Sequence, residues 1–63
     1  MSGTVSTLVR ERNFGFILDE KGDEYFFHAS ATKEFKVIEA GDNVTFKPLN
    51  TEKGLRAVGV KKV

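Results

Sequence analysis

The chain contains no cysteine, no tryptophan, one histidine and one proline, and its apolar runs are only a few residues long. Without cysteine there is neither a disulfide framework nor a thiolate metal site. A lone histidine with no second strong ligand at suitable spacing does not make a zinc centre, and the acidic stretch Asp19 to Glu24 lacks the alternating ligand order of a calcium loop. No metal and no cofactor is therefore expected. Met1-Ser2-Gly3-Thr4 is followed by no apolar run, so neither a signal peptide nor a membrane-spanning helix is expected, and the chain reads as cytoplasmic. Charge of one sign is also missing. Ten basic residues face nine acidic ones, so bulk charge gives little support to nucleic-acid binding, which often shows a strong basic excess.

Sixty-three residues make one small domain, taken as residues 1–63, either complete or a module of a longer protein. A chain this short buries only roughly 60% of the surface its unfolded form exposes, so modest stability is expected. What it does have is seven aromatic residues, six of them phenylalanine, set in short segments of alternating character. Two segments stand out: Arg12-Asn13-Phe14-Gly15-Phe16-Ile17 and Tyr25-Phe26-Phe27-His28. Side chains two apart in a strand share a face. Phe14 and Phe16 therefore point one way, and Phe26 and His28 lie together on their own strand. Paired through a turn at Lys21-Gly22, the four form one flat aromatic platform.

The remaining chain reads as strands separated by turn residues. The first runs from about Gly3 to Arg10, with Val5 inward and a break in alternation near Leu8-Val9. Asn13 follows the charged turn Arg10-Glu11-Arg12 and tolerates the left-handed backbone region that a tight turn needs. The second strand spans Asn13 to Asp19, and Glu20 to Asp23 form a turn. The third covers Glu24 to His28, with one helical turn over Ala29 to Thr32. Lys33 to Ala40 is a long connection. The fourth strand, Asn43 to Lys47, should stop at Pro48, which cannot donate to a ladder. After a turn over Asn50 to Gly54, the last strand runs from Leu55 to Val63.

Five short strands with no helix of useful length favour a sheet closed on itself. The expected fold is all-β, a five-stranded antiparallel closed barrel. Val5, Ile17, Tyr25, Phe27, Val44, Phe46, Ala57 and Val60 fill its interior, which leaves Phe14, Phe16 and Phe26 as surplus. Were they ordinary core residues, Gly15 and Ile17 would have to face water instead. The acidic cluster at Asp19 to Glu24 reads as a solvated turn.

The two aromatic segments, in this order and at this spacing, resemble the cold-shock domain, and the resemblance covers nearly the whole chain. Gly3-Thr4-Val5 is similar to that family's opening strand. Arg12-Asn13-Phe14-Gly15-Phe16-Ile17 resembles its first ribonucleoprotein motif, typically Lys-Gly-Phe-Gly-Phe-Ile. Phe26-Phe27-His28 resembles the second, usually Phe-Val-His-Phe. Ser30, Gly41-Asp42-Asn43-Val44-Thr45-Phe46 and Lys53-Gly54-Leu55-Arg56-Ala57 match later positions. The resemblance implies an oligonucleotide-binding (OB) barrel that holds single-stranded RNA or DNA, with Phe14, Phe16, Phe26 and His28 as stacking residues. It also implies a basic contact from Arg12 and an extension of the surface by Phe35 and Lys36. The first strand departs from the pattern. Ser6, Thr7 and Leu8 stand where members carry Lys-Trp-Phe, and Ala29 stands where a further Phe is common.

Stacking suits unpaired strands, because every base has two π faces that Phe or His can cover whatever the base identity. Arg10, Arg12, Lys36, Lys53 and Arg56 are the expected phosphate contacts, which fix the strand without reading sequence. The expected function is weak, sequence-tolerant binding of single-stranded nucleic acid by a monomer, as an RNA chaperone or a regulator of transcription or translation. No catalytic residue, small-molecule substrate or membrane partner is expected. The alternative is a protein-interaction module that uses the same aromatic face as a docking patch.

Overall fold

The computed structural model describes residues 1–63. It contains five strands: β1 (Ser2–Val9), β2 (Phe14–Leu18), β3 (Glu24–His28), β4 (Asn43–Thr51) and β5 (Gly54–Lys62). Single turns of 3-10 helix, Arg10–Arg12 and Ala29–Ala31, follow β1 and β3. The strands close into a barrel in the order β1-β2-β3-β5-β4.

The expected all-antiparallel barrel needs one correction. β3 and β5 run parallel, meeting at Phe26 and Arg56, while the other pairs are antiparallel. The reason is arithmetic. Direction cannot alternate around a closed ring with an odd number of strands, so one neighbouring pair must agree.

The interior holds the expected residues. Val5, Ile17, Tyr25, Phe27, Val44, Phe46, Ala57 and Val60 are all buried, and the core gains one further member, Ile38. Ile38 comes from the connection between β3 and β4, where no strand period marks it as inward.

Two bulges set which side chains face out. On β1, Val5 pairs with Ile17 but Thr7 pairs with Phe16, so β1 advances two residues where β2 advances one. The break lies at Ser6, earlier than the expected Leu8-Val9. It turns Thr7 onto the outer face beside Phe16 and swings Leu8 back against the core. On β5, Gly59 takes φ 59°, a region where a side chain is strained. That kink allows Ala57 and Val60, three apart, both to point inward.

β4 does not stop at Pro48 but continues through it, with Pro48 opposite Ala57 on β5. Past Phe46, whose amide donates to Met1 O at 2.8 Å, β1 has ended and no strand lies along that side of β4. A residue without an N–H is harmless on such an edge.

Candidate functional site

The local chain direction around the aromatic segment is set by Asn13. It adopts φ 61°, ψ 41°, the left-handed conformation expected for it, and its N–H donates to Arg10 O. That reversal carries the chain from β1 into β2 with Phe14 and Phe16 outward. Gly15 between them faces in, and it must be glycine. A Cβ there would lie 2.7 Å from the Thr7 carbonyl oxygen and 2.8 Å from the Phe27 ring. The missing side chain makes room for Phe27 on the inner face while its neighbours face out.

β2 and β3 pair in a register that puts Phe14 opposite His28 and Phe16 opposite Phe26. The three Phe rings are half-buried and His28 is exposed. Phe14 and Phe26 lie 5.5 Å apart at 31°. Phe16 meets each of them edge-on, at 5.8 and 5.9 Å. These are ordinary aromatic pair geometries, and they leave one surface of the cluster to solvent.

His28 is held in place by the turn that follows. Its Nδ1 accepts from the Ser30 backbone N–H at 3.1 Å, and the Ser30 hydroxyl lies 2.9 Å away. A backbone N–H only donates, so the neutral ring carries its proton on Nε2.

Basic groups border the platform. The Arg56 guanidinium stands 4.8 Å from the centre of the Phe26 ring, within cation–π reach. Phe16, Phe26, Lys53, Leu55 and Arg56 line one open cleft of about 450 Å³. Arg12 ends the turn before Phe14 and is exposed. The chain's single ion pair is Lys62 with Asp42, at 3.3 Å. Arg10, Arg12, Lys36, Lys53 and Arg56 therefore have no carboxylate partner. A larger groove of about 780 Å³ between residues 30–34 and 58–61 contains no aromatic ring.

The structure thus brings together Phe14, Phe16, Phe26, His28, Lys53 and Arg56. Phe35 sits differently. It packs against the core, 6.3 Å edge-on from the inward-facing Phe27, while Lys36 beside it is exposed. Arg10 points at the same segment, donating to the carbonyls of Phe35, Lys36 and Ile38. Thr7, which sequence reading named only as a missing aromatic, lies on the platform face opposite Phe16.

At the far end of β2 the acidic cluster is not wholly solvated. Asp19 is buried, accepting from the Lys21 and Asp23 amides at 2.9 and 3.0 Å and from the Tyr25 hydroxyl at 2.9 Å. Burial pushes its carboxyl up, but the Tyr25 hydroxyl and the Asp23 and Lys21 groups together hold it below its ordinary value. Asp19 is thus the brace of the β2–β3 turn.

The family model described as the "Cold-shock" DNA-binding domain matches residues 1–63. The major cold shock protein of Streptococcus pyogenes is 40% identical over 63 residues, which cover 97% of this chain and 94% of that protein. Cold shock protein CspC of Bacillus subtilis is 39% identical over 62 residues, 95% of this chain and 94% of its own length. Among solved structures, Drosophila Unr CSD456 superposes with a TM-score of 0.79 at 28% identity. That match covers 98% of this chain but only 26% of the Unr chain.

Proposed function

The chain belongs to the cold-shock domain family and is a nucleic-acid-binding domain, and on that premise we propose that it binds unpaired RNA or DNA by stacking bases on Phe14, Phe16, Phe26 and His28. The observation that carries this reading is the gathering of three phenylalanine rings and an imidazole on one solvent-facing surface. Duplex bases are already stacked on each other and offer no free faces to such a surface, whereas unpaired bases do. Arg12, Lys36, Lys53 and Arg56 supply the phosphate contacts. With no carboxylate holding them, they meet an incoming strand without first breaking an ion pair.

Residues 1–63 act as one monomeric module. Binding is weak for the family, because Thr7, opposite Phe16, leaves a position on this surface without a ring, and Ala29 stands where members commonly carry a further Phe. Melting of RNA hairpins follows by mass action, since a protein that holds only unpaired strands shifts the equilibrium without ATP. That is the chemistry of an RNA chaperone, and it requires no catalytic group. A docking patch for protein is the less favoured reading, given the family.

A titration with a labelled oligo-pyrimidine at two salt concentrations tests the reading. Affinity should fall as salt rises, with a log–log slope of about −0.7 per phosphate neutralised. Equal affinity for a fully paired duplex, or binding indifferent to salt, would sink it.

A further inference from the structure

The ten residues between Thr32 and Asn43 contain no strand, yet they place Ile38 in the core and Phe35 against it. Val37 and Ile38 both donate to Glu34 O, at 2.9 and 3.0 Å, closing one tight turn. Gly41 donates to Val5 O, and the Glu39 amide donates to Asp42 Oδ2. No backbone N–H donates to the carbonyls of Phe35, Lys36 or Ile38. These are the orphan acceptors that the end of any helical turn leaves.

Arg10 supplies what they lack. One guanidinium nitrogen, Nη1, donates to Phe35 O at 2.8 Å and to Lys36 O at 3.4 Å, and Nη2 donates to Ile38 O at 2.6 Å. The cation also lies 6.0 Å from the Phe35 ring centre. A planar fork with two nitrogens reaches carbonyls of different residues at once, and a basic side chain suits the negative end of a turn. We propose that Arg10 is a positioning residue, which fixes the Phe35–Ile38 segment where Phe35, Lys36 and Val37 share a cleft with Asn13 and Ala29, the chain neighbours of Phe14 and His28, and does not bind phosphate itself. The effect on affinity rests on the single-strand-binding reading above; the effect on the segment does not.

The experiment compares the unmodified chain with Arg10→Ala and Arg10→Lys. In the free proteins, amide hydrogen exchange at Val37 and Ile38 should quicken at least tenfold in both variants, because a single ammonium cannot bridge the same carbonyls. Affinity for labelled oligo-pyrimidine should drop about fivefold, part of what one stacked base contributes, with the salt slope unchanged. A slope shallower by about 0.7, with exchange unaltered, would show Arg10 to be a phosphate ligand and overturn the proposal. If the variants fold poorly, the unmodified chain still decides. Its Arg10 guanidinium resonances should be resolved, as for an immobilised group, and should not move when oligonucleotide is added. Averaged resonances, or ones that shift with oligonucleotide, would overturn the proposal equally. Failure of the unmodified chain to bind any oligonucleotide would defeat the functional reading while leaving the exchange and guanidinium results to judge Arg10.

Discussion

Phe16 and Phe27 are the same residue type on adjacent strands, and replacing each with alanine should damage different properties. Phe27 is fully buried, and a buried Phe→Ala change costs about 3–5 kcal/mol in lost transfer energy and cavity formation. A domain of this size holds only about 3–5 kcal/mol in total, so Phe27→Ala should be largely unfolded. Phe16 is half-buried on the outer face. Its loss removes two edge-on ring contacts, with Phe14 and Phe26, and leaves no internal cavity. About 1 kcal/mol of stability is expected to go, within the range of such pairs. Binding should suffer more. One stacked base contributes about 1–3 kcal/mol, so affinity should fall about five- to 150-fold. Urea melts followed by circular dichroism give the stability arm. Anisotropy of a labelled oligonucleotide gives the other, as there is no tryptophan to report binding. If Phe16→Ala destabilises as much as Phe27→Ala, or binds like the unmodified chain, the assignment of the two faces is wrong.

Further expectations can be checked with the same two assays. Gly15→Ala drives a Cβ into the Thr7 carbonyl and the Phe27 ring and should cost about 1–3 kcal/mol of stability, the usual range for overpacking; a neutral melt would contradict the close approach. Thr7→Trp places a ring beside Phe16 and should tighten oligonucleotide binding about fivefold or more; no gain means that the strand passes elsewhere. Asp19 and Asp42 are both held below the ordinary carboxylate value, Asp42 chiefly by the Glu39 amide and also by Lys62. A lowered folded-state value stabilises above the unfolded value of about 4 and is lost as pH falls through the folded one. Urea midpoints should therefore drop below about pH 4, and Asp19→Asn should flatten part of that decline.

The barrel was legible in the sequence because inward positions alternate with outward ones on β2, β3 and β4, where Ile17, Tyr25, Phe27, Val44 and Phe46 follow that period; the inward pair Ala57 and Val60 departs from it at the Gly59 kink. Ile38 was not, because it reaches the core from a connection whose turns impose no period. Pro48 misled for a related reason: whether a strand tolerates proline depends on which neighbour lies along its N–H side, a property of the closed barrel. The parallel β3–β5 pair follows from counting strands once closure is assumed. The platform was readable because strand parity alone sorts Phe14 and Phe16 from Gly15 and Ile17. The setting of Arg10 was hidden, since its three carbonyl partners lie 25 to 28 residues away in sequence, and backbone acceptors carry no sequence signature. Asp19 looks like its solvated neighbours in the sequence because its key partner, Tyr25, becomes one only when β2 and β3 pair.

The most direct measurement is a two-dimensional NMR titration of the chain with oligo-pyrimidine. The ring resonances of Phe14, Phe16, Phe26 and His28 should shift together and saturate at one strand concentration, while those of Phe27 and Phe46 move little. Shifts confined to the groove between residues 30–34 and 58–61, with the four platform rings unmoved, would contradict the account.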